Sequence, residues 1–330
     1  MSQTGLSQKT CDLLVVGAGP TGLYASFYAG FRGLTTAVVD TLPEPGGQVT
    51  AMYPEKLIYD VAGFPAVRGR ELVEGLVAQA ARYSPTYLLG EQAATLTPLS
   101  DGFDVGLTDG DTVRTRAVLI TGGLGTFTPR PLPSGDGWVG RGLVHFVPSM
   151  GVHAGQDVVV VGGGDSAFDW ALALHPVARS VTLVHRRARF RAHAGTVDAV
   201  KALGVELVTD AQVAGFVSDP AGALTGLQVA VGGEVRTLPA QTVVAALGFT
   251  ADLGPITAWG LDIDHRQITV DSTMRTARER VYAAGDICTY PGKVNLIATG
   301  FGEAATAVNN IAVALDPAAH LFPGHSSDEG

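Results

Sequence analysis

The sequence predicts an α/β protein made of two parallel-sheet units, the second inserted in the first. Three observations carry this. A short apolar strand, a glycine turn and a helix occur in that order after Asp12 and again after Asp157. Each copy is followed by a second apolar strand at matching distance. Two further apolar strands end in glycine, Val118-Leu119-Ile120-Thr121-Gly122-Gly123 and Val243-Val244-Ala245-Ala246-Leu247-Gly248. A chain of 330 residues has room for about two such units.

Taken in order, Asp12-Leu13-Leu14-Val15-Val16 is an uninterrupted apolar run of strand length, as a strand buried on both faces requires. It ends in Gly17-Ala18-Gly19-Pro20-Thr21-Gly22, and a helix rich in Ala and aromatics starts around Leu23. The second strand, residues 35–39, ends at Asp40. Alternating runs such as residues 103–107 predict a small antiparallel layer. The pattern then returns as a strand over 157–161, the turn Gly162-Gly163-Gly164-Asp165-Ser166-Ala167, a helix through Trp170 and Leu174, and a strand over 181–184. The runs ending at Gly123 and Gly248 read as the closing strand of each nucleotide domain. Beyond them come Val281-Tyr282-Ala283-Ala284-Gly285-Asp286 and a long helix over about 295–315. The tail, with Pro317, Pro323 and Ser326-Ser327-Asp328-Glu329, reads by composition as a frayed end. The domains expected are residues 1–125 with 250–330, and residues 126–249 between them.

Composition narrows the function classes. Hydrophobic residues make up 46% and charged residues 16%, which favours a large core over disorder. The 43 glycines follow no Gly-X-Y period and sit at the ends of apolar runs. A net charge of −9 with no basic stripe argues against nucleic-acid binding. No apolar stretch of ~18 residues is present to span a membrane, and residues 1–10 lack the build of a signal peptide. A soluble cytoplasmic protein is expected. The two cysteines, Cys11 and Cys288, lie at opposite ends of the chain and at no metal-ligand spacing. No metal site is expected.

Both glycine turns follow a strand and open a helix, the setting in which such turns bind a dinucleotide pyrophosphate. Gly17 and Gly19, and Gly162 and Gly164, would let the backbone approach it, and the helix N–H groups would meet its charge. Gly22 and Ala167 are small enough for helix and strand to pack closely. The fold class is therefore two Rossmann-like three-layer dinucleotide-binding domains.

The end of the second strand discriminates between them. Asp40 lies 23 residues after Gly17, and His185 lies 23 residues after Gly162. A carboxylate at that place accepts from ribose hydroxyls and repels a 2′-phosphate. In the second unit His185-Arg186-Arg187 with Arg191 replaces it, and guanidinium forks suit phosphate oxygens. The first site thus takes FAD or NAD, and the second NADP(H). The Ala284-Gly285-Asp286 segment favours FAD, because its carboxylate can receive a ribitol hydroxyl, which NAD lacks.

These residues, with others, resemble the thioredoxin-reductase-like class of ferredoxin/flavodoxin–NADP(+) reductases. The resemblance rests on Gly46-Gly47-Gln48, Met52-Tyr53-Pro54-Glu55-Lys56, Tyr59-Asp60-Val61-Ala62-Gly63-Phe64-Pro65 and the second glycine turn. It extends through His185-Arg186-Arg187, Phe190-Arg191-Ala192-His193, Ala283 to Asp286, Gly292-Lys293-Val294-Asn295-Leu296-Ile297, and Gly300-Phe301-Gly302-Glu303 to Ala307-Val308-Asn309-Asn310. It spans nearly the whole chain.

The resemblance implies that the NADP domain is inserted in the FAD domain, and that Thr21, Asp40 and Gln48 line the FAD. The family usually carries Glu where Asp40 stands. Tyr53 would stack on one flavin face, and His325, followed by Ser326 and Ser327, would cover the other. Ala93 or Ala94 and Phe127 would contact the cofactor, and Asp286 the ribitol. Thioredoxin reductases carry a redox-active C-x-x-C at the front of the inserted domain. The corresponding stretch here, His145-Phe146-Val147-Pro148-Ser149-Met150, has no cysteine, so electrons would leave directly from the flavin.

The activity implied is hydride transfer between NADPH and FAD N5, then single-electron transfer between the flavin and a ferredoxin or flavodoxin. Tyr53 and His325 would act by stacking, with no acid or base needed. The N-terminus of the last long helix would favour the reduced flavin anion. A homodimer is expected. Lys56, Arg68, Arg70 and Lys293 are the candidates for a basic docking surface. An NADPH oxidase or diaphorase, or a non-catalytic dinucleotide-binding redox sensor, are the rival readings.

Overall fold

The computed structural model describes residues 8–325 and divides into two compact units. One contains Leu57–Thr126, the described chain up to Ala51 and the described chain from Ala251. The other contains Phe127–Thr250 together with the short segment Met52–Lys56. That segment falls within the run 1–125 that the sequence predicts for the first domain.

The first unit is built on a seven-stranded sheet. Gln8–Val16 lies at its centre, with Thr36–Asp40 and then Thr86–Leu89 on one side and Thr112–Ile120 on the other. These neighbours run parallel, with Leu14 paired to Ala37 and to Val118. Leu13, Leu14 and Val15 are fully buried, which is why the run is apolar at every position instead of at alternate ones.

The strand Thr112–Ile120 serves two layers. Its first half pairs antiparallel with Phe103–Leu107, which continues to Ala93–Pro98. Its second half pairs parallel with Val281–Ala283. It therefore lies inside the sheet beside the opening strand. Local apolarity identifies a strand but not its neighbours.

Two helices meet over this sheet, Pro20–Phe31 and Ile297–Leu315. The second buries Gly300, Glu303, Ala304, Ala307, Val308, Ile311, Ala312 and Leu315, one stripe at helical spacing. Tyr24 and Phe301 pack with ring centres 5.2 Å apart. A Cβ on Gly300 would lie 2.4 Å from Oγ1 of Thr21, so the two helices approach too closely for any larger residue.

The second unit has three layers. Its parallel sheet runs Leu143–Val144, Thr242–Ala245, Asp157–Val161, Ser180–Val184, Glu206–Val208. The glycine-terminated run Thr242–Ala245, last of these strands along the chain, is internal in the sheet. Val158 and Val160 pack with Phe168, Trp170 and Leu174 of the helix Asp165–Leu174 and with Val200 of the helix Ala194–Ala202. Val159 and Val161 point the other way, into a cluster with Leu227, Val229 and Leu238. Those belong to an antiparallel sheet of Ala211–Ser218, Leu224–Val231 and Glu234–Pro239. The strand's four consecutive valines thus follow from apolar layers on both faces.

Among the described residues, no helix is long and apolar enough to cross a membrane.

Candidate functional site

The two glycine turns use their residues in matching ways. A Cβ on Gly17 would lie 2.6 Å from the Thr121 carbonyl oxygen, and one on Gly162 would lie 2.5 Å from that of Ala246. Each turn is thus pressed against the adjacent parallel strand. Gly17 also has φ +115°, the region that favours glycine. Its carbonyl would lie 1.9 Å from a Cβ on Gly22, so glycine is required there, whereas the second turn accommodates the methyl of Ala167.

Gly19 and Gly164 are different. Their φ angles, −69° and −103°, are open to any residue, and a Cβ at either would meet nothing within 4 Å. Nothing in the protein requires glycine at either place. Both stand at the N-cap of a helix with no side-chain cap, where amide N–H groups lack partners. An anion drawn close to the backbone accounts for both features.

Three further segments of the first unit converge on its turn. Asp40 accepts the N–H of Ala18 at 2.6 Å and that of Leu42 at 2.9 Å, and burial pushes its carboxyl pKa upward. Gly46 donates to the Ala18 carbonyl at 2.8 Å, and a Cβ on Gly47 would come within 3.0 Å of Gly19 Cα. Gln48 follows at the start of the helix Gln48–Met52, with Nε2 3.1 Å from where a Cβ on Gly123 would stand. Thr21 lies against Gly285, whose φ of +80° and missing Cβ admit the Thr21 hydroxyl. Asp286 comes next, half-buried, its carboxyl raised first by desolvation.

Sequence reasoning gave no role to the group that holds Gly285 and Asp286 in place. Glu303 is 5% exposed and accepts the Gly285 N–H at 2.7 Å. Its other oxygen accepts from the Tyr290 hydroxyl at 2.7 Å and from Lys293. Gln267 donates to the Asp286 carbonyl at 3.0 Å from the other side. Lys293 was expected on an exposed docking surface, but its side chain is 5% exposed and paired with Glu303. A carboxylate aligned with Gly300, Ala304 and Ala307 on the buried stripe of its helix was the available signal. Burial and the neighbouring Glu303 push the Cys288 thiol up to about 12. Cys11 and Cys288 are both buried and form no disulfide.

In the second unit the basic loop folds over the glycine turn. Arg191 N–H donates to the Gly163 carbonyl at 2.7 Å, and His193 N–H to Asp165 at 2.8 Å. The His185 ring occupies the space that a Cβ on Gly163 would need. Burial lowers the His185 pKa, and Arg186 lowers it further. Arg186, Arg187 and Arg191 are exposed and, among the described residues, pair with no carboxylate. Their charge is free for a phosphate.

The remaining expected residues are more scattered. Tyr53 and Phe127 fall in the second unit. Tyr53 lines a pocket there with Lys56, His145, Phe146, Ser166 and Trp170. Phe127 packs against Phe146 and Phe249, with ring centres 6.0 and 5.9 Å away. Ala93 is buried, and the carbonyl of Ala94 accepts from the Trp259 indole at 3.3 Å. His325 is exposed, with its ring 5.2 Å from that of Phe322. The tail before it is tied to Arg32, which donates to the His320 carbonyl at 2.8 Å. Ser326 and Ser327 lie outside the described residues. Lys56, another docking candidate, is paired with Asp169 at 2.6 Å.

Two Rossmann-like units with matching glycine turns define a dinucleotide-dependent α/β protein. The chain belongs to the pyridine nucleotide-disulphide oxidoreductase family, whose profile matches residues 11–310. It is 71% identical over 320 residues to a ferredoxin–NADP reductase of Saccharopolyspora erythraea, covering 97% of this chain and 98% of that one. It is 64% identical over 321 residues to a ferredoxin–NADP reductase of Nocardioides sp., covering 96% and 97%. Among solved structures it resembles a T. acidophilum thioredoxin reductase, with TM-score 0.77, 26% identity and coverage of 94% and 100%.

Proposed function

We propose that the first unit holds FAD, the second holds NADP(H), and the chain acts as a ferredoxin–NADP reductase. The observation that carries this is the contrast at one equivalent position. Asp40 ends the second strand of the first unit, and the free cluster Arg186, Arg187 and Arg191 follows the second strand of the other. A chain that distinguishes an unphosphorylated from a phosphorylated ribose in this way has a place for each dinucleotide. The named relatives support the choice of ferredoxin as partner. A flavodoxin offers the same single-electron chemistry.

When bound, the nicotinamide and flavin supply the redox chemistry, a hydride to flavin N5 and then single electrons to the carrier. The protein's residues bind and orient. Asp40 holds the adenosine ribose, the Gly17–Gly22 turn the pyrophosphate, and Thr21, Gln48 and Asp286 the flavin half, with Ala93 or Ala94 beside it. Arg186, Arg187 and Arg191 grip the 2′-phosphate while the Gly162–Ala167 turn takes the second pyrophosphate. Tyr53 and Phe127, with His325, Ser326 and Ser327 from the tail, are the residues proposed to bear on the flavin faces. The absence of cysteine from residues 145–150 leaves the flavin to deliver electrons directly. We assign a cytoplasmic homodimer to this activity.

The test is steady-state reduction of cytochrome c by NADPH with and without added ferredoxin. A rate that rises in proportion to ferredoxin supports the assignment. A rate set by oxygen or a quinone and indifferent to ferredoxin makes the protein an NADPH oxidase or diaphorase.

A further inference from the structure

The Gly285–Asp286 segment of the first unit is gripped from two sides. Glu303, on the long helix, accepts the Gly285 N–H at 2.7 Å. From the other side the Gln267 side chain donates to the Asp286 carbonyl at 3.0 Å and to the Cys288 carbonyl at 3.3 Å. Both acceptors are carbonyls, so the group facing them is the amide NH2, which has one hydrogen for each. The Asp286 carboxylate is half-buried and, among the described residues, accepts no hydrogen bond. Its backbone is thus committed to the protein while its side chain is left for a donor from outside.

Gln267 is delivered to this place by a strained turn. It pairs with Asp264 across the hairpin of Ile263–Asp264 and Gln267–Thr269, which leaves His265 and Arg266 as a two-residue loop. Both have positive φ, +45° and +68°, where such tight turns usually carry Asn and Gly. Side chains in that region are strained and persist only where neighbouring bonds hold them. Arg266 donates to the Ala251 carbonyl at 3.3 Å, and His265 meets Asp264 at 2.7 Å. Beyond the turn, Ile268 and Thr269 pair in parallel with Cys288 and Thr289. The hairpin is therefore fastened to the strand that leaves Asp286. One residue more in the loop would turn the Gln267 side chain to the opposite face, away from both carbonyls.

We infer that Gln267 is a positioning residue for FAD, fixing the backbone of Asp286 so that its carboxylate meets the ribitol. This rests on the FAD reading proposed above. With its NH2 spent on two carbonyls, Gln267 acts through Asp286. Without it the segment keeps its hold at Gly285 and loses the one at Asp286.

The experiment titrates full-length apoprotein, stripped of flavin, with FAD and, separately, with ADP, which has the adenosine and pyrophosphate but no ribitol. Gln267→Met fills similar space without an NH2. It is expected to weaken FAD about tenfold, the worth of one or two neutral hydrogen bonds, and to leave ADP unchanged. Unchanged ADP affinity also shows that the variant is folded. Placed beside Asp286→Ala, the same substitution is expected to weaken FAD no further. Unchanged FAD affinity in Gln267→Met, equal weakening of both probes, or a full loss retained beside Asp286→Ala overturns the inference. Failure of the parent apoprotein to bind FAD instead overturns the FAD reading beneath it.

Discussion

The carboxylate of Asp40 accepts the amide N–H of Ala18 at 2.6 Å, so the residue ending the second strand is bonded directly to the turn ending the first. With Leu42 on the other oxygen, two of its roughly four acceptor sites remain for a ribose. Replacing Asp40 with Ala removes both the anchor and the ribose acceptor. FAD affinity should fall by about tenfold or more, from charge-assisted bonds of about 1.5–3 kcal/mol. Flavin retained through gel filtration measures this, and full retention would show that Asp40 does not hold the cofactor.

The exposed arginines predict a selective loss. Substituting Arg191 or Arg187 with Ala should raise the KM for NADPH roughly tenfold and leave NADH kinetics unchanged. The combined Arg186, Arg187 and Arg191 variant should lose most of its preference between the two. Equal losses for NADH would mean that the cluster positions the backbone and does not read the phosphate.

Lys293 and Glu303 form a buried ion pair, each side chain about 5% exposed or less. Lys293→Met strands a buried carboxylate and should cost about 3 kcal/mol in urea unfolding. Adding Glu303→Gln removes the stranded charge, and glutamine can still accept the Gly285 N–H. The double variant should therefore recover part of the loss. Additive destabilisation would show that the two residues do not act as a pair.

The second unit should lose a defined share of its stability in acid. The Arg179 guanidinium holds the Asp157 carboxyl below its ordinary value, with Ser180 also donating to it. The unfolded chain thus binds more protons between that lowered value and pH about 4. The pair's contribution is complete above pH about 4 and disappears as pH falls through the folded-state pKa. Arg179→Met should lower the melting temperature at pH 7, and the difference from the parent should vanish in strong acid. A difference unchanged with pH would rule out an electrostatic origin.

Neither thiol should matter to turnover. Cys11 and Cys288 are buried, and Cys288 is pushed up to about 12, so little thiolate exists near neutrality. Alkylating reagents should label both only after denaturation. The treated native protein should reduce ferredoxin at its original rate, and inhibition by alkylation would point to a thiol step.

Much of this was readable in the sequence because the informative residues are close together along the chain. Gly17, Gly22 and Asp40 belong to a single strand–turn–helix–strand unit, as do Gly162, Ala167 and His185. Topology was less readable. Residues 112–120 read as a strand, but nothing local says that one half pairs with a meander and the other with the distant strand Val281–Ala283. The antiparallel sheet over 211–239 is not among the expected elements, although Gly232-Gly233 between apolar runs is a hairpin signal. Lys293 was read as a surface charge because lysines usually are, and only its partner on the buried helix stripe reverses that.

The most direct test of the central claim is anaerobic stopped-flow mixing of the FAD-loaded protein with NADPH, with NADH, and then with oxidised ferredoxin. The account predicts fast bleaching of the flavin by NADPH, much slower bleaching by NADH, and recovery of the yellow colour on adding ferredoxin. A flavin that NADPH does not bleach, or one bleached by NADPH that ferredoxin cannot reoxidise, would contradict it.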